Sequence, residues 1–446
     1  MKSEMHTPLY TALRAILRRD RARFHMPGHK GHDRTGIFGG TLRYDITETD
    51  GADSLYRASG AILQAEGRIA AYYGARRSLL SPQGSTLGIQ TMLSLARGRG
   101  RKLIIARGAH VAAANAISLL DFDPTWIYPA VDGKTGVTTP PAANAIEAAL
   151  AENPDAAAVY VTSPTYYGVF ADVAGIAAVC KKYGVPLLVD NAHGAHLIAA
   201  GYEHPIRQGA AICSDSAHKT LPALTGGAFV HIADEQFAAG AKDAMAVFGS
   251  TSPSYLIMLS LDACAAYLET NAAREFLALR QRVGELETLA ANNGFYSIGG
   301  NRDHTRLLLC AHGLGYTGAH LAEHLARHGI EHEYAGERTV VLLASPQNTH
   351  RDFARLKRAL TSIKPLGDPP EELLPEVHAV QAIAPREAFF AQKETVPLSQ
   401  AEGRVAAQNR TSCPPGVPVA MCGERITADA VRRLAYYGFD RVTVVR

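Results

Sequence analysis

The sequence predicts an α/β protein with a largely parallel β-sheet that is covered by helices on both faces. Short apolar segments at 102–106, 157–161 and 185–189 read as buried strands, since strands of a parallel sheet are covered on both sides and need no polar alternation. Helical apolar spacing fills the stretches between them. Strands that alternate with helices in this way build a parallel sheet. The predicted helices in this region are 61–73, 110–120, 142–151 and 174–183.

Polar residues follow several of these strands, at the place where a parallel sheet binds its ligands. In such sheets the ligand lies at the carboxyl ends of the strands. One cleft can therefore collect side chains that are far apart in sequence. The residues at or just past predicted strand ends are Ser85, His110, Ser163, Asp190 and Lys219.

The composition argues against several classes of protein. Of 446 residues, 47% are hydrophobic and 20% are charged, and the net charge of +3 offers no nucleic-acid footprint. We see no run of about 18 apolar residues that would cross a membrane and no apolar signal-peptide segment at the start. The six cysteines are scattered, without a Cys-x-x-Cys pair. We therefore expect a cytoplasmic protein with free thiols.

The chain is too long for a single core, so two or three domains are expected. Strand candidates at 307–309 and 340–343 flank a helix at 318–328, and the Pro- and Gly-rich stretch 364–370 is the clearest linker. Further helices are predicted at 8–20, 256–268 and 273–291. The predicted regions are an N-terminal arm at 1–36, a large domain at 37–265, a small α+β domain at 266–365 and a C-terminal domain at 366–446.

The stretch from Asp190 to Lys219 carries the residues that a pyridoxal phosphate (PLP) enzyme needs. An apolar strand ends at Asp190, and a second short segment ends in Ser-Ala-His-Lys at 216–219. A lysine bonds covalently to the PLP aldehyde, and a carboxylate keeps the pyridine nitrogen protonated, so that the ring accepts electrons. Ser216 and His218 could reach the phosphate. The alternative is that Lys219 is a solvated surface residue.

Gly84, Ser85 and Thr86 form a candidate phosphate site. The predicted strand breaks at Gly84, and a helix begins at the two hydroxyl residues. The free N–H groups of a helix N-terminus attract a phosphate. Serine and threonine are also common helix caps, which is the alternative.

His110 is a further candidate, because it opens a helix after a predicted strand. Its ring either stacks on a cofactor ring or caps that helix.

One short motif points to different chemistry. The segment 320–324 reads His-Leu-Ala-Glu-His, the pattern of inverted zinc proteases, and His328 adds a third histidine to the same helix face. A plain polar helix face is favoured, because no distant acidic ligand is evident. We therefore predict no metal site. No Gly-x-Gly-x-x-Gly follows a strand, so nothing supports a dinucleotide-binding fold.

In combination, these segments resemble the bacterial ornithine/lysine/arginine decarboxylases of PLP fold type I, the aspartate aminotransferase fold. The resemblance covers almost the whole chain, which looks like the short form without the N-terminal wing domain. The loop at 24–31, the lysine motif and the late Pro-Pro-Gly segment are specific for this family when they occur in one chain. The matching segments are 24–31, 84–88, 190–196, 216–221, 250–255, 414–418 and 423–424.

The resemblance implies a PLP-binding large domain with a mostly parallel seven-stranded sheet, followed by a smaller C-terminal α+β region. The last region, 366–446, would be the C-terminal domain of these decarboxylases. The cofactor would be PLP and the ligand a small basic amino acid. The chain would form a homodimer or a larger homo-oligomer with sites at the dimer interface. Ser250 and Thr251 would reach the cofactor of the neighbouring subunit.

The resemblance also implies roles for individual residues. Lys219 would bond to PLP, and Asp190 would pair with its pyridine nitrogen. Either His218 or Lys219 would return a proton to the substrate carbon. Glu424 would take the distal cationic group of the substrate, with His29 as a further substrate contact. Cofactor contacts are implied for Gly84, Ser85, Thr86, His110, Asp190, Ala192, His193, Ser216, His218, Lys219, Ser250 and Thr251.

Five positions depart from the residues that are common in this family. None of them removes a catalytic role. Gly226 and the two cysteines leave the identity of the substrate open. The departures are Ser59 for Pro, Asn191 for Glu, Gly226 for Gln, Cys413 for an aromatic residue and Cys422 for Pro.

We therefore predict PLP-dependent decarboxylation of a basic amino acid to an amine and CO2. Arginine is favoured by analogy with other short forms, ahead of lysine or ornithine. A buried substrate cation needs a carboxylate, because an unpaired charge in a pocket is costly. One alternative is another reaction on the same fold, such as transamination or elimination. Another is a non-catalytic regulator, which would be expected to lack Lys219 or Asp190.

Overall fold

The computed structural model describes residues 7–19, 21–296, 298–368, 373–378, 380–412 and 415–446. Two compact units divide the chain. The first unit combines Met1–Leu95 with Leu187–Leu277, and the second combines Ala96–Pro186 with Ala278–Arg446. The predicted domain boundaries remain a prediction.

Seven strands form the main sheet, in the order β1-β7-β6-β5-β4-β2-β3. β2 pairs in parallel with β3 and β4, and β5 pairs in parallel with β6, whereas β7 runs antiparallel to β1 and β6. The predicted mostly parallel seven-stranded sheet is confirmed. Its strands are β1 Arg77–Ser81, β2 Lys102–Ala106, β3 Asp123–Ile127, β4 Ala158–Thr162, β5 Leu187–Asp190, β6 Ile212–Asp215 and β7 Ala228–Ile232.

Helices alternate with these strands, as the apolar pattern predicts. Helix ends coincide with local signals. For example, the Asp172 side chain accepts from Gly175 N–H to cap one start, and Gly184 takes a φ of +67° at the end of that helix. The α-helices are α1 Pro8–Leu17, α2 Ala61–Tyr73, α3 Gly84–Arg97, α4 Val111–Leu120, α5 Ala143–Glu152, α6 Val173–Tyr183, α7 Ala217–Thr220, α8 Glu235–Ala238, α9 Ala241–Phe248, α10 Tyr255–Tyr267, α11 Ala273–Asn292, α12 Gly318–Arg327, α13 His350–Thr361, α14 Pro385–Phe390 and α15 Ala428–Tyr436.

In the first unit, α3 lies unusually close to the sheet. A Cβ atom on Gly88 would fall 2.2 Å from Ser214 Oγ and 3.1 Å from a methyl carbon of Val230. Only glycine fits between the helix and strands β6 and β7 at this point. The close approach brings the start of α3 beside the end of β6.

The second unit adds small antiparallel sheets and a C-terminal core. β8, β10 and β9 form one sheet, and α12 lies between β8 and β9 in sequence. The buried C-terminal cluster includes Val396, Val419, Ile426, Leu434 and Val444. The remaining strands are β8 Arg306–Leu309, β9 Tyr334–Ala335, β10 Val340–Leu343, β11 Val380–Gln381, β12 Lys393–Pro397, β13 Arg410–Thr411, β14 Pro418–Ala420, β15 Glu424–Arg425 and β16 Arg441–Val445.

Candidate active site

The end of β5 places a buried carboxylate where the sequence predicts one. Asp190 is 1% exposed, because the apolar strand before it is buried along its whole length. Its Oδ1 atom accepts a hydrogen bond from Ala192 N–H at 3.1 Å. This bond fixes the carboxylate at the start of the turn 190–196, which also carries His193.

Lys219 lies in α7, one short turn after β6. Its Nζ atom is 3.1 Å from His193 Nε2. The structure therefore brings together the lysine motif and the turn that begins with Asp190. His218 Nδ1 donates to Gly227 O at 2.8 Å. Burial lowers the pKa of His218, and the positive charge of Lys219 acts in the same direction.

The candidate phosphate site lies at the N-terminus of α3. Gly84 takes a φ of +71°, and its N–H donates to Gly226 O at 2.6 Å. Ser85 is buried, and Ser216 Oγ donates to Ser85 Oγ at 2.8 Å. The side chain of Thr86 is exposed. Two predicted phosphate ligands are therefore in contact, at a helix N-terminus that favours anions.

One departure from the family pattern has a local explanation, and a second lies at a buried position. Gly226 takes a φ of +93°, a conformation that favours glycine over the usual glutamine. Cys422 is buried, which raises the pKa of its thiol to about 11. This thiol is therefore protonated at neutral pH. The departure at Cys413 lies outside the described residues.

The predicted intersubunit residues Ser250 and Thr251 are exposed. Ser250 N–H donates to Gln83 Oε1 at 2.9 Å within the chain. Gln83, which the sequence reasoning missed, directly precedes the candidate phosphate site. The role of these residues toward a neighbouring subunit remains a prediction.

His29 makes contacts within its own loop and with one acidic residue. Gly31 N–H donates to His29 Nδ1 at 2.9 Å, so the neutral ring carries its proton on Nε2. That Nε2 atom lies 3.2 Å from Asp45 Oδ2. The predicted substrate contact of His29 remains a prediction.

In the second unit, His110 is the N-cap of α4. Its Nδ1 atom accepts from Ala112 N–H at 3.2 Å, so the capping alternative is realised. A Cβ atom on Gly416 would fall 2.6 Å from the ring. The backbone at Gly416 therefore covers part of His110. The predicted stacking on a cofactor remains a prediction.

Glu424 forms a buried ion pair that the sequence reasoning missed. Arg107 Nη1 donates to Glu424 Oε1 at 2.5 Å, and Nη2 donates to Oε2 at 2.9 Å. Met421 N–H also donates to Oε2 at 2.9 Å. The two side chains of the pair are 7% and 3% exposed. An arginine directly after an apolar strand was the signal available in the sequence.

A cavity of about 540 Å³ adjoins this pair in the second unit. Arg107 lines it together with the aromatic rings of Tyr128, Tyr166 and Tyr334. A space of this size and lining suits a small organic ligand.

The histidines of the zinc-protease-like motif make other contacts. His324 Nε2 donates to Ala359 O at 2.8 Å. His328 Nδ1 donates to His324 O at 2.9 Å, and its Nε2 lies 2.9 Å from Ser362 Oγ. These three nitrogens thus face protein hydrogen-bonding groups.

The helices were also compared with the length and hydrophobicity that a membrane span requires. In the part of the chain that the structure describes, none of them meets both requirements.

The sequence matches two family models. Residues 7–286 match the major domain of the Orn/Lys/Arg decarboxylases, and residues 371–442 match their C-terminal domain. The chain belongs to the Orn/Lys/Arg decarboxylase family. The predicted family is confirmed, and so is the predicted class of enzyme, a decarboxylase of basic amino acids.

Related sequences agree over nearly the full length. The chain is 32% identical to an arginine decarboxylase of Bacillus subtilis, with 96% of this chain and 93% of that protein covered. It is 30% identical to an arginine decarboxylase of Halalkalibacterium halodurans, with 96% and 92% covered.

A solved structure supports the fold. The constitutive lysine decarboxylase of Escherichia coli superposes with a TM-score of 0.82 at 21% identity, covering 99% of this chain and 82% of that chain. The predicted fold class is confirmed.

Proposed function

We propose that the protein decarboxylates arginine, or else lysine or ornithine, with PLP bound to Lys219. One observation carries the proposal. Lys219 Nζ lies 3.1 Å from His193 Nε2, on the same turn that presents the buried carboxylate of Asp190. An amine, an imidazole and a buried carboxylate are thereby held in one part of the first unit.

The residues of the first unit fit PLP. Lys219 offers the amine for its aldehyde, and Asp190 offers the carboxylate for its pyridine nitrogen. Ser85 and Ser216 offer hydroxyl groups at the N-terminus of α3, where a phosphate is favoured. Bound there, PLP would act as an electron sink. It would accept the electron pair that remains on the substrate carbon when the carboxylate leaves as CO2.

The protein residues have separate tasks in this proposal. The Asp190 carboxylate holds a proton on the pyridine nitrogen, and the Ala192 amide keeps that carboxylate in place. His193 orients the Lys219 amine through their 3.1 Å contact. The hydroxyl groups of Ser85 and Ser216 bind the phosphate and fix the distance of the ring from Lys219.

Lys219 is favoured over His218 as the donor that protonates the substrate carbon. His218 donates its Nδ1 proton to Gly227 O. In the neutral ring, Nε2 then carries a lone pair and no proton. Burial lowers the pKa of His218, so the protonated ring is scarce at neutral pH.

The preference for arginine rests on the relatives of similar length. The two described above are named arginine decarboxylases. Glu424 remains a proposed site for the distal cation, although both its oxygens accept from Arg107 in the structure. A substrate cation would therefore have to share this carboxylate with Arg107 or displace its guanidinium.

The cellular setting is part of the proposal. The cysteines of the described chain (180, 213, 264, 310 and 422) are free thiols, which supports a reducing cytoplasm. A homodimer is proposed from the family resemblance, with Ser250 and Thr251 placed on its exposed contact loop.

The test is to purify the protein without added PLP and record its visible absorption. The protein is then mixed with arginine, lysine or ornithine, and the products are identified by mass spectrometry. We expect a visible band of lysine-bound cofactor and one amine: agmatine, cadaverine or putrescine. Lys219→Ala is the matched control and should lose both signals. A keto acid in place of the amine would overturn the proposal in favour of transamination.

A further inference from the structure

A buried polar cluster in the first unit adjoins the turn 190–196. We call it the Asp215 cluster. Its members share complete burial, with relative exposures of 0%. They come from α2, from the ends of β5 and β6, from the loop after the turn and from β7. The members are Tyr73, Asn191, His204, Asp215 and His231.

The Asp215 carboxylate is the centre of this cluster. His204 Nε2 donates to Asp215 Oδ2 at 2.9 Å, and Asn191 Nδ2 donates to Oδ1 at 2.8 Å. The thiol of Cys213 donates to Oδ1 at 3.2 Å, and His231 Nε2 lies 3.5 Å from Oδ2. Burial alone would raise the pKa of Asp215, but the two facing imidazoles hold it well below its ordinary value.

The cluster holds the turn 190–196 at two points. At its start, the Asn191 side chain is bonded to Asp215, directly after Asp190. Near its end, the Tyr73 hydroxyl donates to Ala195 O at 2.6 Å. The Tyr73 ring packs in turn on both histidines of the cluster, with ring centres 4.8 Å and 4.2 Å away.

Two histidines and an aspartate are also a metal-ligand set, and their ligand atoms lie within 4.8 Å of one another. At His204 the hydrogen bonds favour a proton instead. Ile206 N–H donates to His204 Nδ1 at 3.3 Å, so the neutral ring carries its proton on Nε2, which faces Asp215. A histidine that binds metal through Nε2 instead donates from its other nitrogen.

We propose that Asp215 is a positioning residue for the cofactor site. Its carboxylate fixes the turn through Asn191, and the turn fixes Asp190 and His193 relative to Lys219. The inference rests on the proposed function, because it assigns Asp190 and His193 to the cofactor. Asp215 itself acts through Asn191 and the turn.

The test compares Asp215→Asn with the exchanged variant Asn191→Asp/Asp215→Asn. The exchange keeps one carboxylate and one amide at the same contact. Three quantities are measured: the Kd of PLP from its absorption, the pH midpoint of the lysine-bound cofactor's absorption, and kcat and KM for the best substrate.

We expect Asp215→Asn to weaken PLP binding and lower kcat by about 10- to 100-fold each, the range known for losing the group that orients a metal-binding histidine. KM should change little, since the substrate is not contacted. The pH midpoint should shift, because the Lys219 environment changes. The exchanged variant should recover most of both losses. A merely structural role would lower the thermal midpoint while leaving PLP affinity and the pH midpoint at their wild-type values.

If Asp215→Asn does not fold, Asn191→Ala provides the test, because it removes the amide through which Asp215 fixes the turn. A weaker PLP affinity and a shifted pH midpoint in this variant would support the proposal, and wild-type values would overturn it. Stoichiometric zinc in the purified protein that is lost in His231→Gln would also overturn it, in favour of a metal site. Wild-type protein that makes no amine contradicts the proposed function. A normal wild type with an equally normal Asp215→Asn contradicts this inference alone.

Discussion

Two buried carboxylates, Asp190 in the first unit and Glu424 in the second, have different kinds of partner. Asp190 accepts from the backbone amide two residues later, which orients its oxygens. Glu424 accepts from both terminal nitrogens of Arg107, so its negative charge is matched by a cation of the same chain. The comparison teaches that burial alone does not mark a catalytic carboxylate. Because the partners differ, we predict that the two carboxylates differ in their share of activity and of stability.

Replacing Asp190 should give the largest effect on activity. Asp190→Asn keeps the size of the side chain but removes the charge that would hold a proton on the cofactor ring. We expect kcat to fall by about 10³- to 10⁴-fold, within the range for losing a well-placed proton partner. Steady-state kinetics on the best substrate measure the loss. An Asp190→Asn enzyme with wild-type kcat would contradict the assigned role.

Replacing Glu424 should have its main effect on stability. Glu424→Gln leaves the buried guanidinium of Arg107 without its anion, which costs about 3–5 kcal/mol of unfolding free energy. Urea denaturation measures the change. The double variant Arg107→Gln/Glu424→Gln should recover part of the loss, because no unpaired charge then remains. Glu147→Gln is the surface control. Its partner Lys182 is 65% exposed, so its urea midpoint should not change.

Stability should fall as the pH decreases from about 7 to 5. Burial lowers the pKa of His231, and Asp215 only partly opposes this; burial also lowers the pKa of His218. Below pH 6.5, the ordinary pKa of histidine, the unfolded chain therefore binds protons that the folded chain does not bind. Each such group contributes up to about 1.4 kcal/mol per pH unit.

Urea denaturation at pH 7, 6 and 5 measures this slope, with His231→Gln as the comparison. The variant should have the shallower slope. Asp215 does not contribute in this window, because its pKa is depressed and its stabilising effect is lost only below the ordinary carboxyl range. A stability that rises toward pH 5 would contradict the assignment.

The smallest effect is expected at the candidate phosphate site. Ser85→Ala removes one of two hydroxyl groups that would share the phosphate with the N-terminal amides of α3. We expect PLP to bind about 10-fold more weakly, equivalent to about 1.4 kcal/mol, as for one hydrogen bond to a charged group. Absorption titration measures the Kd. Thr86→Ala is the matched comparison, and because its side chain is exposed we expect a smaller change. If Thr86→Ala weakened PLP binding more than Ser85→Ala, Thr86 rather than Ser85 would be the main phosphate ligand.

The parts that the sequence could predict are those with local signals. Helix α2 begins and ends at the predicted residues, 61 and 73. Its end is fixed by Gly74, which takes a left-handed conformation. Asp190 and Lys219 could be found because each follows a short apolar strand. Helices α10 and α11 were predicted as separate, but a π-helix at Leu268–Ala272 joins them. That linking segment contains no glycine or proline to break the chain.

The parts that could not be predicted depend on distant pairing. Arg107 and Glu424 are 317 positions apart, so no local pattern connects them. His231 reaches Asp215 because Cys213 pairs with His231 in the register of β6 and β7. A sequence alone does not reveal that register. Gly88 similarly reveals its role only when α3 is seen against Ser214.

The separation of Arg107 from Glu424 has a consequence for the order of synthesis. Ribosomes add about 5–20 residues per second, so Arg107 exists for roughly 15 to 60 s before its partner is made. The first unit has all its residues once position 277 is complete, whereas the second unit needs residues up to 446. Until Glu424 has been made, the Arg107 guanidinium must stay hydrated, because burying an unpaired charge is costly. The late segment that carries Glu424 is therefore the one that allows the second unit to close around this charge.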